Sequence, residues 1–381
     1  MKILMQGRFE LNNGGGGDKI QIENTASELR KLGVEVDIKH RLISDISKYD
    51  LLHTFQLDWT AESYFYATNA KKNNKPFVLS PIHHNINEVK KFDDDYAFDY
   101  RRISKYLFRD QLHRDTFKNI YRSILNPQKI KPTIHSVFMG LRNMHTKVLK
   151  MSDMVLVQTN LEAFDLKDTY NVDFKWEKIP NGVGSQFLNV QNYKNRFNIS
   201  DYIVSVGRVE PRKSWLNIID AVAMLRKESG RDIELILIGP KNITNHFEYT
   251  ARFNFALRRY KWVKYIDSVP YDEMPSVYKF AKVCVSASWF ESTGLTLLEA
   301  IFCGTNAVAS GERAKEYLGN MASYCEPGDV KTIFSAIEKE YFAPRPKIST
   351  EMKKEYTWEN AAKKTLEVYS SVLNRKKANE S

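Results

Sequence analysis

Short apolar runs alternate along this chain with segments whose apolar residues recur every three or four positions, so strands and helices are predicted to follow one another. Lys2–Met5 reads as a buried strand, and a helical segment from Asp18 to Leu32 is stopped by Gly33. Strands follow at Val34–Ile38, Asp50–His53, Pro76–Leu79 and Met154–Gln158, with a short one at Lys178–Ile179. A second series begins with the strand Tyr202–Val206 and the helix Trp215–Arg226. It continues through strands Ile233–Ile238, Val263–Tyr265, Val283–Ala287 and Thr305–Ala309, with helices Met274–Phe280 and Leu295–Phe302. Gly304 is placed to close the latter helix. Trp358–Leu373 is an amphipathic helix, and the polar tail from Asn374 is expected to fray. Such alternation implies an α/β chain with parallel sheets. Two series separated near 181–200 suggest two facing Rossmann-like domains with a ligand at the carboxyl ends of the strands, in the cleft between them. The expected division is 1–183, 184–357 and a terminal helix and tail, 358–381, packing back on the first domain.

Residues 86–150 break the rhythm. They read as helical, with no strand pattern and many Tyr, Phe and Arg residues, and form an insertion in the first domain.

Composition narrows the class. Of 381 residues, 43% are hydrophobic and 27% charged, which excludes a largely disordered chain. No apolar run approaches the roughly 18 residues of a membrane span, and the N-terminal stretch lacks the apolar core of a signal peptide. Cys284, Cys303 and Cys325 are too few and scattered for a disulfide framework or zinc site and read as buried apolar residues, so a cytoplasmic protein is expected. The net charge is +11, which favours anionic partners: nucleic acid, phosphorylated small molecules or an acidic membrane. Residues 86–150 hold fourteen Lys/Arg against seven Asp/Glu, so they alone carry +7.

Three segments carry candidate chemistry. Gly14-Gly15-Gly16-Gly17 lies between a strand and a helix, where backbone N–H groups can approach a phosphate. The dinucleotide fingerprint fails there, because Lys19 occupies a required glycine position. Gly207-Arg208-Val209-Glu210-Pro211-Arg212-Lys213-Ser214 follows a strand and nearly spells a P-loop, but Arg212 replaces the glycine before the lysine. What remains is two cations, Arg208 and Lys213, spaced to converge on a diphosphate. In Glu291-Ser292-Thr293-Gly294-Leu295-Thr296-Leu297-Leu298-Glu299, two carboxylates bracket a loop and a helix start, where they can accept hydrogen bonds from sugar or ribose hydroxyls. His83 and His84 follow the fourth strand. Asp93-Asp94-Asp95 has the spacing of a metal-binding D-x-D, but no strand precedes it, and a solvated run is the reading taken.

The E-x7-E arrangement resembles the signature of the GT-B retaining glycosyltransferases of family 4. Other stretches agree in order: Val206–Lys213 with a G-R-x4-K diphosphate motif, Met151–Gln158 and Ile179–Val183 with the end of a first domain, Ala300–Ser310, Glu326-Pro327-Gly328-Asp329 and Tyr356-Thr357-Trp358. The resemblance covers the second domain almost throughout; 86–150 match nothing in it. It implies that Arg208 and Lys213 bind the donor diphosphate, Glu299 the ribose and Glu291 the transferred sugar. It further implies that Gly15, Gly16 and Gly17 cover the phosphates, that Gly207, Ser292, Thr293, Gly294 and Leu295 line the donor, and that His83 or His84 lies near the sugar. Two positions depart from the pattern: the loop reads E-S-T-G-L-T rather than E-G-F-G-L-P, and Gly184 stands where an Asp often follows Asn-Gly-Val.

The expected activity is therefore retaining transfer from a nucleotide-sugar to a hydroxyl acceptor, without metal or other cofactor, in surface-glycan, lipopolysaccharide or glycolipid assembly. The acceptor is a glycan or lipid-linked glycan. Residues 86–150 are expected to line the acceptor side and to dock on an anionic membrane through Arg101, Arg102, Lys105 and Arg109. The alternatives are a GT-B enzyme of other chemistry, an epimerase or phosphorylase, and a nucleic-acid-binding protein, against which stands the lack of any reader motif.

Overall fold

The computed structural model describes residues 1–380 except 10, 12–15, 59–60, 96–105 and 242–245. The chain divides into two compact units: Met1–Ile86 with Ser104–Gly182 and Glu355–Ser381, and Asn87–Ile103 with Val183–Lys354.

The first unit holds a six-stranded, all-parallel sheet of β1 (Lys2–Gln6), β2 (Glu35–Lys39), β3 (Leu51–Phe55), β4 (Phe77–Ser80), β5 (Met154–Val157) and β6 (Trp176–Lys178), ordered β2-β1-β3-β4-β5-β6. Its central strands are covered on both faces: every residue of β3 and β4 is buried, the polar His53, Thr54 and Ser80 among them. The terminal helix Trp358–Glu380 packs on the helix Gly17–Lys31 and places the Tyr369 hydroxyl 2.6 Å from His53 Nδ1. Gly182 has to be glycine, since a Cβ there would lie 2.1 Å from the Thr357 backbone. The helix runs through the tail expected to fray.

The second unit repeats the plan with β7 (Tyr202–Val206), β8 (Glu234–Ile238), β9 (Val263–Ile266), β10 (Val283–Val285), β11 (Asn306–Ala309) and β12 (Ala322–Tyr324), ordered β12-β11-β10-β7-β8-β9 and again all parallel. The helices Trp215–Ser229 and Val330–Phe342 pack together over this sheet, and Ile218, Val222, Ile333 and Ile337 are fully buried in its core. All three cysteines are buried and free.

The described residues of the 86–150 segment form the helices Ile86–Asp95, Gln111–Leu125, Ile130–Met139 and Leu141–Met151. The segment is not one insertion in the first unit. Residues 87–95 group with the second, where Phe92 packs its ring 6.0 Å from Trp289 and 5.7 Å from Phe290. Nor is the aspartate run wholly solvated: Asp93 shares the buried face of that helix with Val89 and Phe92. Arg101, Arg102 and Lys105 lie outside the described residues. No helix among the described residues is long and apolar enough to cross a membrane.

Candidate active site

In each sheet the strand order reverses direction beside the unit's first strand, and loops at such a switch point diverge to leave room for a ligand. In the second unit the switch lies between β7 and β10. The loops that follow these strands carry Arg208 and Lys213 on one side and Glu291 on the other.

The loop after β7 is held in place by backbone bonds. Gly207 N–H donates to Ile238 O at 2.9 Å and Val209 N–H to Pro240 O at 3.0 Å. Gly239 sits at φ +145°, and a Cβ there would lie 1.8 Å from Gly207 O, so only glycine permits this approach. Pro211–Lys213 forms a single tight turn, and Ser214 (φ 49°) turns the chain into the helix Trp215–Ser229. The Lys213 stem passes 3.1–3.3 Å from where a Gly207 Cβ would stand, so Gly207 leaves a lane for the lysine.

These constraints build a chain of opposite charges. Lys213 Nζ donates to Glu291 Oε1. Arg212 Nη1 reaches the same oxygen at 3.2 Å and Phe290 O at 3.0 Å. Its Nε and Nη2 bind Glu210 Oε1 at 2.9 and 2.8 Å. Arg208 Nε stands 3.8 Å from Glu210 Oε2. Burial alone would raise the Glu291 carboxyl, but Lys213 and Arg212 outweigh it and hold it well below the usual carboxylate range. Glu210, likewise opposed by burial, is drawn down to about 2 by Arg212, Arg208 and Lys213. Burial works against the Arg212 charge, which Glu210 and Glu291 restore and strengthen. Burial also lowers Lys213, against the pull of Glu291.

Glu299 lies one turn into the helix Leu295–Phe302, which begins at Gly294 (φ 69°). It accepts from the Tyr271 hydroxyl at 2.7 Å and the Tyr278 hydroxyl at 3.4 Å. Burial pushes it up to about 7, despite both hydroxyls. Thr293 is buried, whereas Ser292, Gly294 and Leu295 are partly open.

In the first unit the corresponding switch lies between β1 and β3. After β1, Arg8 Nε donates to Asp18 Oδ2 at 2.6 Å, and Asp18 Oδ1 accepts from the backbone of Gly16 at 3.1 Å and Lys19 at 3.0 Å. The helix starts at Gly17. Gly14 and Gly15 lie outside the described residues. After β3 comes Asp58, buried and bound by both histidines: His83 Nδ1 bonds Oδ1, while His84 N–H donates to Oδ2 at 2.5 Å and His84 Nδ1 stands 3.1 Å from it. Burial opposes the Asp58 charge, but the two histidines hold its carboxyl far below the usual range. His83 N–H donates to Glu162 Oε1 at 2.7 Å. Ile82 carries φ +47°, a strained setting for a β-branched residue, immediately before the pair.

The sequence-predicted residues of the second unit thus sit around one strand-end region, and Lys213 and Glu291 touch. Arg208 is half exposed, with its Nε 3.8 Å from Glu210, while Lys213 turns inward to Glu291. Sequence reasoning missed Asp58, Glu210, Arg212, Tyr271, Arg8 and Asp18. Arg212 was in view only as the residue that spoils a P-loop. Asp58 gave one signal, a carboxylate three residues past a buried strand.

This architecture is the GT-B fold. The structure aligns with sucrose-phosphate synthase from Thermosynechococcus elongatus at a TM-score of 0.70 and 15% identity, over 98% of this chain and 100% of that one. A glycosyltransferase from Rickettsia africae aligns at 0.61 and 15%, over 98% of each chain, and Anabaena Alr3699/HepE in complex with UDP and glucose at 0.55 and 14%, over 100% and 99%. Residues 200–341, the stretch that carries Arg208, Lys213, Glu291 and Glu299, match the family described as Glycosyl transferases group 1. O-antigen chain mannosyltransferase B of Escherichia coli is 27% identical over 176 residues, 44% of this chain and 45% of that protein. D-inositol 3-phosphate glycosyltransferase of Salinispora tropica is 27% identical over 186 residues, 43% and 38%. The chain spans less than half the length of these curated relatives.

Proposed function

We propose that this protein is a retaining, metal-independent glycosyltransferase that moves a hexosyl group from a nucleotide-diphosphate sugar to a hydroxyl acceptor in surface-glycan, lipopolysaccharide or glycolipid assembly. The carrying observation is the chain of opposite charges Arg208, Glu210, Arg212, Glu291 and Lys213 at the strand ends of β7 and β10. A diphosphate calls for cations and its sugar for a hydrogen-bond-accepting carboxylate, and this chain offers both, which supports the reading. The likeness to an O-antigen mannosyltransferase supports a mannosyl donor as the first to test.

In this reading the anomeric C1–O bond breaks with its electron pair passing to the β-phosphate oxygen. Arg208 and Lys213 stabilise that charge, each contributing on the order of 3 kcal/mol to the transition state. Glu291 accepts hydrogen bonds from the sugar hydroxyls, and Glu299 from the ribose. Ser292, Thr293, Gly294 and Leu295 line the donor. The acceptor oxygen bonds C1 on the face the phosphate leaves, and its proton passes to the departing phosphate oxygen. His83 or His84, held by Asp58, attends the sugar, and Gly15, Gly16 and Gly17 keep their phosphate role. The proposed setting is the cytoplasmic face of a membrane.

Thermal shift against UDP-, GDP- and ADP-sugars identifies the donor, and NMR of the product's anomeric proton reads retention. Turnover undiminished by EDTA is expected. Inversion at C1, or turnover that requires inorganic phosphate, refutes the reading and favours other GT-B chemistry.

A further inference from the structure

Eight of the fifteen large apolar side chains that stand exposed among the described residues lie within 106–138. Six of them form two helical stripes. On Gln111–Leu125 these are Ile120 and Ile124, spaced i, i+4; on Ile130–Met139 they are Ile130, Ile134, Val137 and Phe138, spaced i, i+4, i+7, i+8. Phe138 is 87% exposed and Ile124 75%.

The buried positions of the two helices are mostly polar. Arg114, Lys118 and Ser123 point inward from the first helix, Lys129 from the turn, and Thr133 and Ser136 from the second helix. Their charges are met internally: Lys118 Nζ bonds Asp115 Oδ1 at 3.1 Å, Arg114 Nε donates to Phe108 O at 2.8 Å, and Lys129 Nζ lies 4.0 Å from Glu62. The pair is anchored to its unit by Leu112 and by the helix Leu141–Met151, whose Met144, Val148 and Leu149 are in the core. It is thus a helical hairpin turned inside out, an arrangement that water does not favour and that needs a covering phase.

Charge selects that phase. Residues 106–151 contain nine Lys/Arg against two Asp, a net +7 of the chain's +11. Arg109, Lys131, Arg142 and Lys147 are exposed. A second copy would set these exposed cations against their own counterparts, an unfavourable pairing. An anionic bilayer instead offers acyl chains to the stripes and phosphates to the cations, the two signals that together anchor a peripheral protein.

We propose that the hairpin Gln111–Met139 is an interfacial membrane-docking surface, in which Ile120, Ile124, Ile134, Val137 and Phe138 enter the acyl boundary of an anionic leaflet. The inference concerns binding alone and stands apart from the transfer chemistry proposed above.

The experiment is co-sedimentation of the full chain with vesicles of phosphatidylglycerol and phosphatidylcholine. Wild-type protein should bind vesicles rich in phosphatidylglycerol and bind pure phosphatidylcholine at least about tenfold more weakly. Ile124→Glu combined with Phe138→Glu should lower binding at least about tenfold, while Ile124→Trp with Phe138→Trp retains it. Both pairs are exposed, so the melting temperature and the nucleotide-sugar thermal shift should stay at wild-type values, which separates this test from that of the transfer reading. Lys131→Glu with Lys147→Glu should weaken binding at low salt and flatten its salt dependence. Wild-type protein left in the supernatant at low salt overturns the proposal, as does a Glu pair that binds normally. A dimer in analytical ultracentrifugation that the Glu pair dissociates would identify a second copy as the occupant and equally overturn it.

Discussion

Glu299 offers the sharpest test, because its two protonation states have opposite consequences. Its carboxyl is 4% exposed, and burial raises it to about 7 from an ordinary 4.5. A ribose diol donates hydrogen bonds, so the donor selects the ionised form. With a pKa near 7, about a tenth of the protein is ionised at pH 6 and about nine tenths at pH 8. Affinity for a nucleotide-sugar should therefore rise about tenfold across that interval. A nucleotide-sugar is the right probe: both ends of its diphosphate are esterified, so the ligand does not titrate in this range. Stability runs the other way. A raised carboxyl contributes stability that is full below about 4.5 and is lost as pH rises through about 7, roughly 3 kcal/mol for the full shift. Glu299→Gln should thus bind donor weakly and independently of pH, yet melt higher than wild type at pH 8. Tyr271→Phe removes one hydroxyl that lowers the carboxyl, so the inflection should move to higher pH. Calorimetric titration from pH 6 to 8 reads the first effect and thermal melts the second. An equal slope in Glu299→Gln, or wild-type affinity in that variant at pH 8, refutes the ribose assignment.

Three further expectations follow from the charge chain and the histidine pair. Lys213→Ala and Arg208→Ala should each lower kcat by about a hundredfold or more in steady-state assays while circular dichroism stays native, since Arg212 still pairs Glu291. Arg212→Ala should instead damage the fold, by about 3–5 kcal/mol in denaturant melts, because Glu210 and Glu291 both lose a buried partner. Asp58→Asn should lower kcat/KM and change its pH profile with no loss of nucleotide affinity, as it releases the two histidines it orients; an unchanged profile would make Asp58 a packing residue.

The strands were legible because parallel strands buried on both faces are short, mostly apolar runs. Tyr202–Val206 and Leu295–Phe302 carry the bounds expected of them. Ala322–Tyr324, only three residues long, left no such pattern. The grouping of 87–95 with the second unit depends on Phe92 meeting Trp289 and Phe290, a contact nearly 200 positions away that no local periodicity encodes. Glu291, Glu299, Arg208 and Lys213 were visible through their spacing about strand ends. Asp58 and the histidines it holds are 25 and 26 positions apart, and only the adjacency of β3 and β4 brings them together. The inverted hairpin was half legible: its charge could be counted, but which face turned outward could not.

Arg212 shows why the loop departs from a phosphate-cradling nest. A glycine there would free backbone amides for the ligand; an arginine instead commits the loop to side-chain charge. A buried Lys213–Glu291 pair alone would have to recover the desolvation of two ions from a single contact, which such pairs often fail to do. Arg212 and Glu210 extend the pair into an alternating series, each carboxylate lying between two cations. Three cations and two carboxylates leave a surplus of one positive charge. That surplus falls toward the half-exposed Arg208, which the proposed donor's diphosphate would reach without breaking the Lys213–Glu291 pair. The geometry thus keeps Lys213 and Glu291 ordered before any ligand arrives, so little side-chain freedom remains to be lost when the donor binds.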